Sequence, residues 1–143
     1  MIREYRKEDL EPVMQIWLES NYEAHNFIDK NYWKQNYDLV KAELPKAKIY
    51  VSENDTEILG FSGLQDNYIA GLFVRKNMRG HGIGSELLTC VKKYHSSLTL
   101  SVYKKNKRAV AFYQKQGFEV IEKKIDKNVN EEEYVMEWKN ENR

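Results

Sequence analysis

The 143-residue chain has one cysteine, two prolines and no apolar run long enough to cross a bilayer. A single thiol cannot form an internal disulfide, and no cysteine or histidine spacing typical of a metal site occurs. A membrane-spanning helix needs about 20 apolar residues in succession, and the first residues lack the composition of a secretory signal. We therefore expect a cytoplasmic protein with no metal site and no membrane partner.

The chain also lacks an excess of either charge, with 23 basic and 22 acidic residues. Without a net positive field, nothing attracts nucleic acid to the surface as a whole. A local basic run, residues 104–108, has two interpretations: the solvated start of a helix, or an attraction for the phosphates of a ligand. We expect no nucleic-acid partner.

Length and apolar content indicate a single domain spanning residues 1–143. Apolar residues make up 41% of the chain and aromatic residues 13%, a composition that argues against intrinsic disorder. A chain of this length buries about two-thirds of the surface that it exposes when unfolded. The chain is therefore long enough to form a hydrophobic core.

Glycine is scarce as well, yet three of the seven glycines fall within five residues. Gly80, Gly82 and Gly84 follow Arg79, after an apolar run and before an amphipathic helical pattern. Glycine lets the main chain approach a ligand closely, and the first amides of a helix have no partner within it. This order of strand, glycine turn and helix is typical of a phosphate-binding site, to which an arginine adds a forked cation.

Two nucleotide-binding motifs match this stretch poorly. The P-loop motif requires Lys and then Ser or Thr directly after its last glycine, whereas Ser85 and Glu86 follow here. The dinucleotide motif would put Ser85 at its third glycine and expects an acidic residue about 20 positions on, where Tyr103 and two lysines stand. A glycine turn without any ligand is the other alternative.

At these residues the chain resembles the GCN5-related N-acetyltransferase (GNAT) family. Residues 79–84, RGHGIG, match the R/Q-x-x-G-x-G/A pattern that holds the pyrophosphate of acetyl-CoA in that family. A second family pattern, V-x3-N-x2-A-x2-F-Y-x3-G-F, matches Val102, Asn106, Ala109, Phe112, Tyr113, Gly117 and Phe118. The resemblance spans essentially the whole chain, and residues 16–20 (IWLES), 27–28 and 32–33 are similar to small bacterial members that include protein-lysine acetyltransferases.

Hydrophobic periodicity predicts strands and helices in an order that agrees with this family. Strands are expected at residues 2–6, 49–52, 58–64, 68–74, 98–103, 118–125 and 134–138, and helices after Asp9, around 33–44, at 84–95 and after Asn106. The strand–helix–strand unit around the glycine turn predicts a parallel pair. The resemblance implies an α+β fold: an α/β/α sandwich whose mixed, mostly antiparallel sheet has about seven strands, a splayed parallel pair and about four flanking helices.

The resemblance further implies which residues bind acetyl-CoA, without any metal. Main-chain groups of the strand before the turn would bind the pantetheine arm, the turn would bind the pyrophosphate, and an asparagine would bind near the arm. The residues implied are Leu72, Phe73, Val74, Arg79, Gly80, His81, Gly82, Ile83, Gly84 and Asn106.

The implied reaction is direct attack of an amine on the acetyl thioester in a ternary complex. Tyr113 matches the general acid position of the family, and a core tyrosine is the alternative. Many relatives carry a glutamate base on the strand before the turn, but residues 67–71 contain no carboxylate. Glu23 and His25, between the first two helices, are therefore candidates for the base. An amide near Gly71, where we expect a bulge, would bind the oxyanion.

Glu23, His25 and Phe27 are expected on the acceptor side, where Phe27 with Tyr32 and Trp33 would form an apolar slot or simply pack in the core. Three functions follow as hypotheses: acetylation of a protein lysine, acetylation of a small amine, or acyl-CoA binding without catalysis. The acceptor would be an amine in the first two. The chain would act as a monomer, or as a homodimer through a strand edge near its C-terminus.

Overall fold

The computed structural model describes residues 1–141 and contains one seven-stranded sheet and four α-helices. The strands are β1 (Ile2–Glu4), β2 (Lys48–Glu53), β3 (Ile58–Gln65), β4 (Tyr68–Val74), β5 (Ser97–Tyr103), β6 (Glu119–Asp126) and β7 (Glu131–Lys139). The helices are α1 (Leu10–Ala24), α2 (Lys30–Glu43), α3 (Ile83–Lys92) and α4 (Lys107–Lys115). Short 3₁₀ helices occur at Lys7–Asp9, Leu44–Lys46 and Lys76–Met78.

The strands lie in the order β1-β2-β3-β4-β5-β7-β6, and every neighbouring pair is antiparallel except β4 and β5. These two parallel strands pair at two positions, Tyr68 with Thr99 and Ile69 with Leu100. Beyond Ile69 they separate. The predicted fold, a mixed and mostly antiparallel sheet with a splayed parallel pair and four helices, is confirmed.

A β-bulge lies where β4 leaves β5. Against β3, Gly71 pairs with Gly63 and Ile69 pairs with Leu64, so Ala70 has no partner in the ladder. A bulge bends its strand and increases the local twist. The irregularity expected near Gly71 is therefore present, and it accompanies the separation of the two strands.

Helices cover both faces of the sheet because side chains alternate along each strand. Ile49 and Val51 of β2 are buried with Val13 and Met14 of α1 on one face. On the opposite face, alternate residues of β5 are buried with α3 and α4: Leu98, Leu100 and Val102 pack with Leu88, Val91 and Tyr113. The result is a three-layer α/β/α arrangement in which the parted strands lie near the centre.

Local capping explains the start of α2 and both ends of α4. Helix α2 begins earlier than expected because the carboxylate of Asp29 accepts a hydrogen bond from the amide of Asn31 at 2.8 Å. Helix α4 begins at the predicted Asn106, whose side-chain oxygen accepts from the amide of Ala109 at 3.3 Å. It ends before Gly117, which has a φ of 93°.

Two local features depend on residues elsewhere in the chain. Asp9 does not cap α1 with its side chain, because its buried carboxylate binds the guanidinium of Arg3 at 2.8 Å and the amide of Arg6 at 2.7 Å. Strand β7 begins three residues before the expected start at residue 134, because residues 131–133 pair with β6 and Glu133 also pairs with β5. In both places, partners that lie elsewhere in the chain decide the local structure.

Strand β6 is the edge of the sheet near the C-terminus. Ile121 and Ile125 are more than half exposed along it, so the predicted exposed edge is present, and pairing of two copies there stays a prediction. Within residues 1–141, no helix is both long enough and apolar enough to cross a bilayer. Over the same residues, no group of three or more His, Cys, Asp or Glu side chains is arranged to hold a metal ion.

Candidate functional site

The gap between β4 and β5 continues into an open cleft of about 1190 Å³. Its lining comes from both parted strands, the C-terminal part of α1, the loop before α3, the start of α4 and the first residues of β7. We call the part lined by Arg79, Gly80, Gly82, Ile83 and Gly84 the glycine part. The part lined by Trp17, His25, Trp33 and Tyr103 is called the aromatic part.

The glycine part presents unpaired main-chain amides. Gly80 and Gly82 have φ values of 84° and 81°, a region that favours glycine. Among the described residues, the amides of residues 80–85 donate no hydrogen bond to another protein group; the first bond of α3 runs from the amide of Glu86 to the carbonyl of Gly82 at 3.0 Å. A Cβ added at Gly80 or Gly82 would meet no atom within 4 Å. The loop thus combines several free donors with open space beside them.

The parted strand β4 presents further amides. The amide of Arg75 donates to the carbonyl of Leu59 in β3 at 2.8 Å. Since successive amides of a strand point to opposite sides, those of Leu72 and Val74 point away from β3, towards the space that β5 has left. Phe73 is paired with Phe61 in the β3–β4 ladder. Leu72 and Val74 therefore offer main-chain donors to a ligand, whereas the amide of Phe73 faces β3.

His25 and Asn106 are joined in a hydrogen-bonded chain that crosses the cleft lining. The Nδ2 group of Asn106 lies 3.2 Å from Nε2 of His25, and Nδ1 of His25 lies 2.9 Å from Oδ1 of Asn21. Asn21 in turn donates to the carbonyl of Trp17 at 2.8 Å. Because Oδ1 of Asn106 already accepts from Ala109, its amide group is the donor to His25, and the imidazole proton lies on Nδ1.

His25 is neutral in this arrangement. It is 9% exposed, and burial lowers its pKa to about 4. Both ring nitrogens have partners. The site thus places the candidate base His25 against Asn106, with its lone pair at Nε2 already accepting a hydrogen bond.

Glu23, the other candidate base, forms an ion pair with Arg79. Both side chains are roughly 30% exposed or less, and the Nζ of Lys76 lies 3.9 Å from the second carboxylate oxygen. This pair connects the end of α1 to the glycine part of the cleft. The guanidinium predicted to face a phosphate is therefore paired with a carboxylate of the protein.

Tyr113 lies on α4 with its ring packed against Phe112 and Phe118, at centroid distances of 5.2 and 5.5 Å. The residue is buried but lines the cleft, and burial raises the pKa of its hydroxyl above the ordinary value. Among the described residues, no hydrogen-bond partner of this hydroxyl is found. Tyr113 is thus a core residue that also lines the cleft.

Two residues expected at the site lie at its margin. The imidazole of the exposed His81 lies 3.2 Å from the carbonyls of Met78 and Arg79, and it does not line the cleft. Phe27 packs behind the aromatic part, 5.8 Å from the ring of His25, and the ammonium of Lys105 lies 5.5 Å from its ring centre. The ring of His81 therefore does not face the cleft, and its main chain is the only part of this residue left to contact a ligand.

Sequence reasoning missed Asn21, Tyr103 and Glu133. Tyr103 lies at the end of β5, 5.0 Å from the ring of His25, and its hydroxyl donates to Asp126 at 2.8 Å. Glu133 is its cross-strand partner on β7 and also lines the cleft. The one signal for Glu133 is its position in a run of three glutamates that begins β7.

Comparisons with known proteins agree with this geometry. The model of the acetyltransferase (GNAT) family matches residues 10–118. The chain is 36% identical over 140 residues to the peptidyl-lysine N-acetyltransferase YiaC of Escherichia coli strain K12, covering 96% of each chain. It is 34% identical over 120 residues to the peptidyl-lysine N-acetyltransferase YjaB of the same organism, covering 83% of this chain and 82% of that one.

The fold has a matching solved structure as well. The solution structure of apo YjaB from Escherichia coli superposes with a TM-score of 0.86 at 30% identity, covering 96% of each chain. The chain belongs to the acetyltransferase (GNAT) family. It is an acetyl-CoA-dependent N-acetyltransferase, which confirms the resemblance carried by residues 79–84 and by the segment that ends at Phe118.

Proposed function

We propose that this chain transfers the acetyl group of acetyl-CoA to the side-chain amine of a lysine in a protein or peptide. The observation that carries the proposal is that free loop amides, parted strands and a buried tyrosine hydroxyl all line one cleft. The acceptor class is supported by the names of the two Escherichia coli relatives, both peptidyl-lysine N-acetyltransferases.

The glycine part would bind the diphosphate. Free amides of residues 80–85 and the positive end of the α3 dipole favour an anion there, and Arg79 would exchange its carboxylate partner for a phosphate oxygen. His81 would contribute its amide alone, because its ring faces two carbonyls of its own loop. The loop therefore fits a doubly charged phosphate group without any metal ion.

The parted strands would bind the arm of the donor. The amides of Leu72 and Val74 lack a neighbouring strand, and the side-chain amide of Asn106 lies on the opposite side of the cleft. Hydrogen bonds from β4 would hold the arm in the extended direction of the strand, with Phe73 packed beneath it. One of these amides, beside the bulge at Ala70, would also donate to the oxyanion that forms on the acetyl carbon.

Transfer of the acetyl group from the thioester to a protonated amine releases one proton overall. The protonated amine loses one proton before attack, because only its lone pair can form the new carbon–nitrogen bond. The tetrahedral intermediate loses a second proton from nitrogen and expels the sulfur as the carbon–sulfur bond breaks. One of the two protons ends on the sulfur through Tyr113, and the other passes to solvent, so the products are an amide, coenzyme A and a proton.

Tyr113 is the proposed general acid. Its raised pKa keeps the hydroxyl protonated at neutral pH, and the same burial raises the pKa of a departing thiol above its ordinary value of about 8.5. Because burial raises both pKa values, the proton donation depends on direct contact between the hydroxyl and the sulfur. The hydroxyl has no protein acceptor among the described residues, so its proton is available to the sulfur.

Replacement of Tyr113 by phenylalanine tests this proposal. The hydroxyl contributes no packing, so Tyr113→Phe should keep its affinity for acetyl-CoA and its melting temperature, while kcat falls roughly 100-fold with a lysine peptide. The exposed Tyr94, which follows α3 and does not line the cleft, provides the control Tyr94→Phe. An unchanged kcat for Tyr113→Phe would remove the general acid role, and loss of acetyl-CoA binding would point to a structural role instead.

A further inference from the structure

The first residues of β7 form a run of three glutamates with three different surroundings. Glu131 pairs with Lys105 and Glu132 pairs with Lys104, both at 3.2 Å. Glu133 has no ion pair within 4.0 Å and no side-chain hydrogen bond among residues 1–141, although its cross-strand neighbour is Lys124. Its carboxylate is therefore the one of the three that the protein leaves unpartnered.

Glu133 is also half-buried and lines the cleft. Directly paired residues on adjacent strands share a face of the sheet, so Glu133 lies on the same face as Tyr103, within the aromatic part. Two carboxylates line the described cleft, and the other one, Glu23, is held by Arg79. Glu133 is thus the free negative charge of the described cleft.

The groups around Glu133 favour a cation. The ring centre of His25 lies 5.0 Å from that of Tyr103 and 5.4 Å from that of Trp33. Aromatic faces attract an ammonium group and pack against an alkyl stem. The ammonium of Lys105 already lies over the ring of Phe27 at the edge of this group. An aromatic surface with one unpaired carboxylate is the chemistry that recognises a primary ammonium on an apolar stem.

The pKa values of Glu133 and of its titratable neighbours agree with the binding of a cation here. Burial raises the pKa of Glu133 above its ordinary value, Lys124 acts in the opposite direction, and Asp126 adds to the increase. The charge of Glu133 in turn contributes to the raised pKa values of Tyr32 and Tyr103. A second cation near the carboxylate would relieve these unfavourable interactions, since an opposite charge stabilises the ionised form.

We propose that Glu133 binds the ammonium group of the acceptor in the aromatic part of the cleft, and that the acceptor is accordingly a cationic primary amine on an unbranched apolar stem. This inference rests on the proposed function, because it names the group that brings the acceptor to the thioester. Selectivity for charged over neutral amines would then come from a residue of the β6–β7 hairpin.

The adjacent glutamate offers a matched control for the test. Glu133→Gln and Glu132→Gln remove the same charge one residue apart, but side chains alternate along β7 and Glu132 is exposed on the other face. Glu133→Asp keeps the charge and tests for rescue. The acceptors are a lysine peptide, spermidine and aniline, of which aniline is uncharged at neutral pH, and turnover is read as release of free thiol.

We expect Glu133→Gln to raise the KM for the charged acceptors about tenfold or more, with the affinity for acetyl-CoA and the melting temperature unchanged. Glu132→Gln should match the wild type, and Glu133→Asp should recover part of the loss. Wild-type KM values in Glu133→Gln, or aniline as the preferred acceptor of the wild type, would overturn the inference. No thiol release from the wild type with any amine would instead overturn the proposed function on which it rests.

Discussion

The Nε2 atom of His25 lies 3.2 Å from the Nδ2 atom of Asn106, and this contact joins residues 81 positions apart. It links the loop after α1 to the residue that caps the start of α4. Because Asn106 also caps α4 through its Oδ1 atom, both ends of its side-chain amide are fixed by the protein. His25 therefore orients Asn106, which we propose as a donor to the arm of acetyl-CoA.

Replacement of His25 by alanine should weaken coenzyme A binding. A net hydrogen bond contributes about 1 kcal/mol, which corresponds to a roughly fivefold increase in Kd, measured by calorimetry. His95→Ala, at a half-buried position that does not line the cleft, is the control. Equal Kd values for the two variants would show that Asn106 needs no support from His25.

Stability should fall below pH 6.5 because of the same histidine. The pKa of His25 is lowered from 6.5 to about 4 in the folded protein, so between these values the unfolded chain binds a proton that the folded chain does not. The associated loss is on the order of 2 kcal/mol between pH 7 and pH 5. Urea unfolding at both pH values should show a smaller decrease for His25→Gln than for the wild type; equal decreases would contradict the assignment.

The pair formed by Glu23 and Arg79 gives a prediction that separates two roles of the carboxylate. If Glu23 holds the guanidinium, Glu23→Gln releases Arg79 for a phosphate and removes a repulsive charge, so the Kd for coenzyme A should fall a few-fold with kcat retained. If Glu23 is the general base, kcat should fall with little change in Kd. Glu19→Gln, one turn earlier on α1 and outside the cleft, controls for loss of charge.

Gly82 should not tolerate a side chain. At a φ of 81° an alanine costs roughly 1–2 kcal/mol of stability, and its Cβ would enter the open space in which we place the diphosphate. Gly82→Ala should therefore lose most of the rise in melting temperature that coenzyme A produces. Gly63→Ala is the control, since its Cβ would only contact Ile49 at 3.8 Å. A full thermal shift in Gly82→Ala would place the diphosphate elsewhere.

The sequence predicts those structural features that depend only on residues close together along the chain. Strand β4, the glycine turn and the cap at Asn106 are local patterns, in which the residue types directly set the main-chain conformation. The strand–helix–strand unit also predicts the parallel pair, whereas the seven-stranded mixed sheet is implied by the resemblance to the family. The structure contains the strand, the parallel pair and the cap.

The sequence could not predict contacts that need the folded chain. Aspartate is a common helix-capping residue, but the carboxylate of Asp9 is bound by Arg3 of β1. The chemistry of Glu23 and His25 makes both plausible bases, and only the fold shows that Arg79 and Asn106 are their partners. In the sequence, Glu133 is one of several charges in an acidic segment. Only the pairing of β7 with β5 shows that it lies beside Tyr103. In each case the deciding partner is distant in sequence.

The two halves of the sheet, β1–β4 and β5–β7, are joined at only two residue pairs. Rotation of one half against the other about Ile69 and Leu100 would widen or narrow the cleft while breaking very few main-chain hydrogen bonds. The cleft would thus adapt to larger or smaller acyl groups mainly by repacking of side chains around Ile69 and Leu100. Substitutions at these two positions, both of which line the cleft, are the ones that we expect to change donor preference.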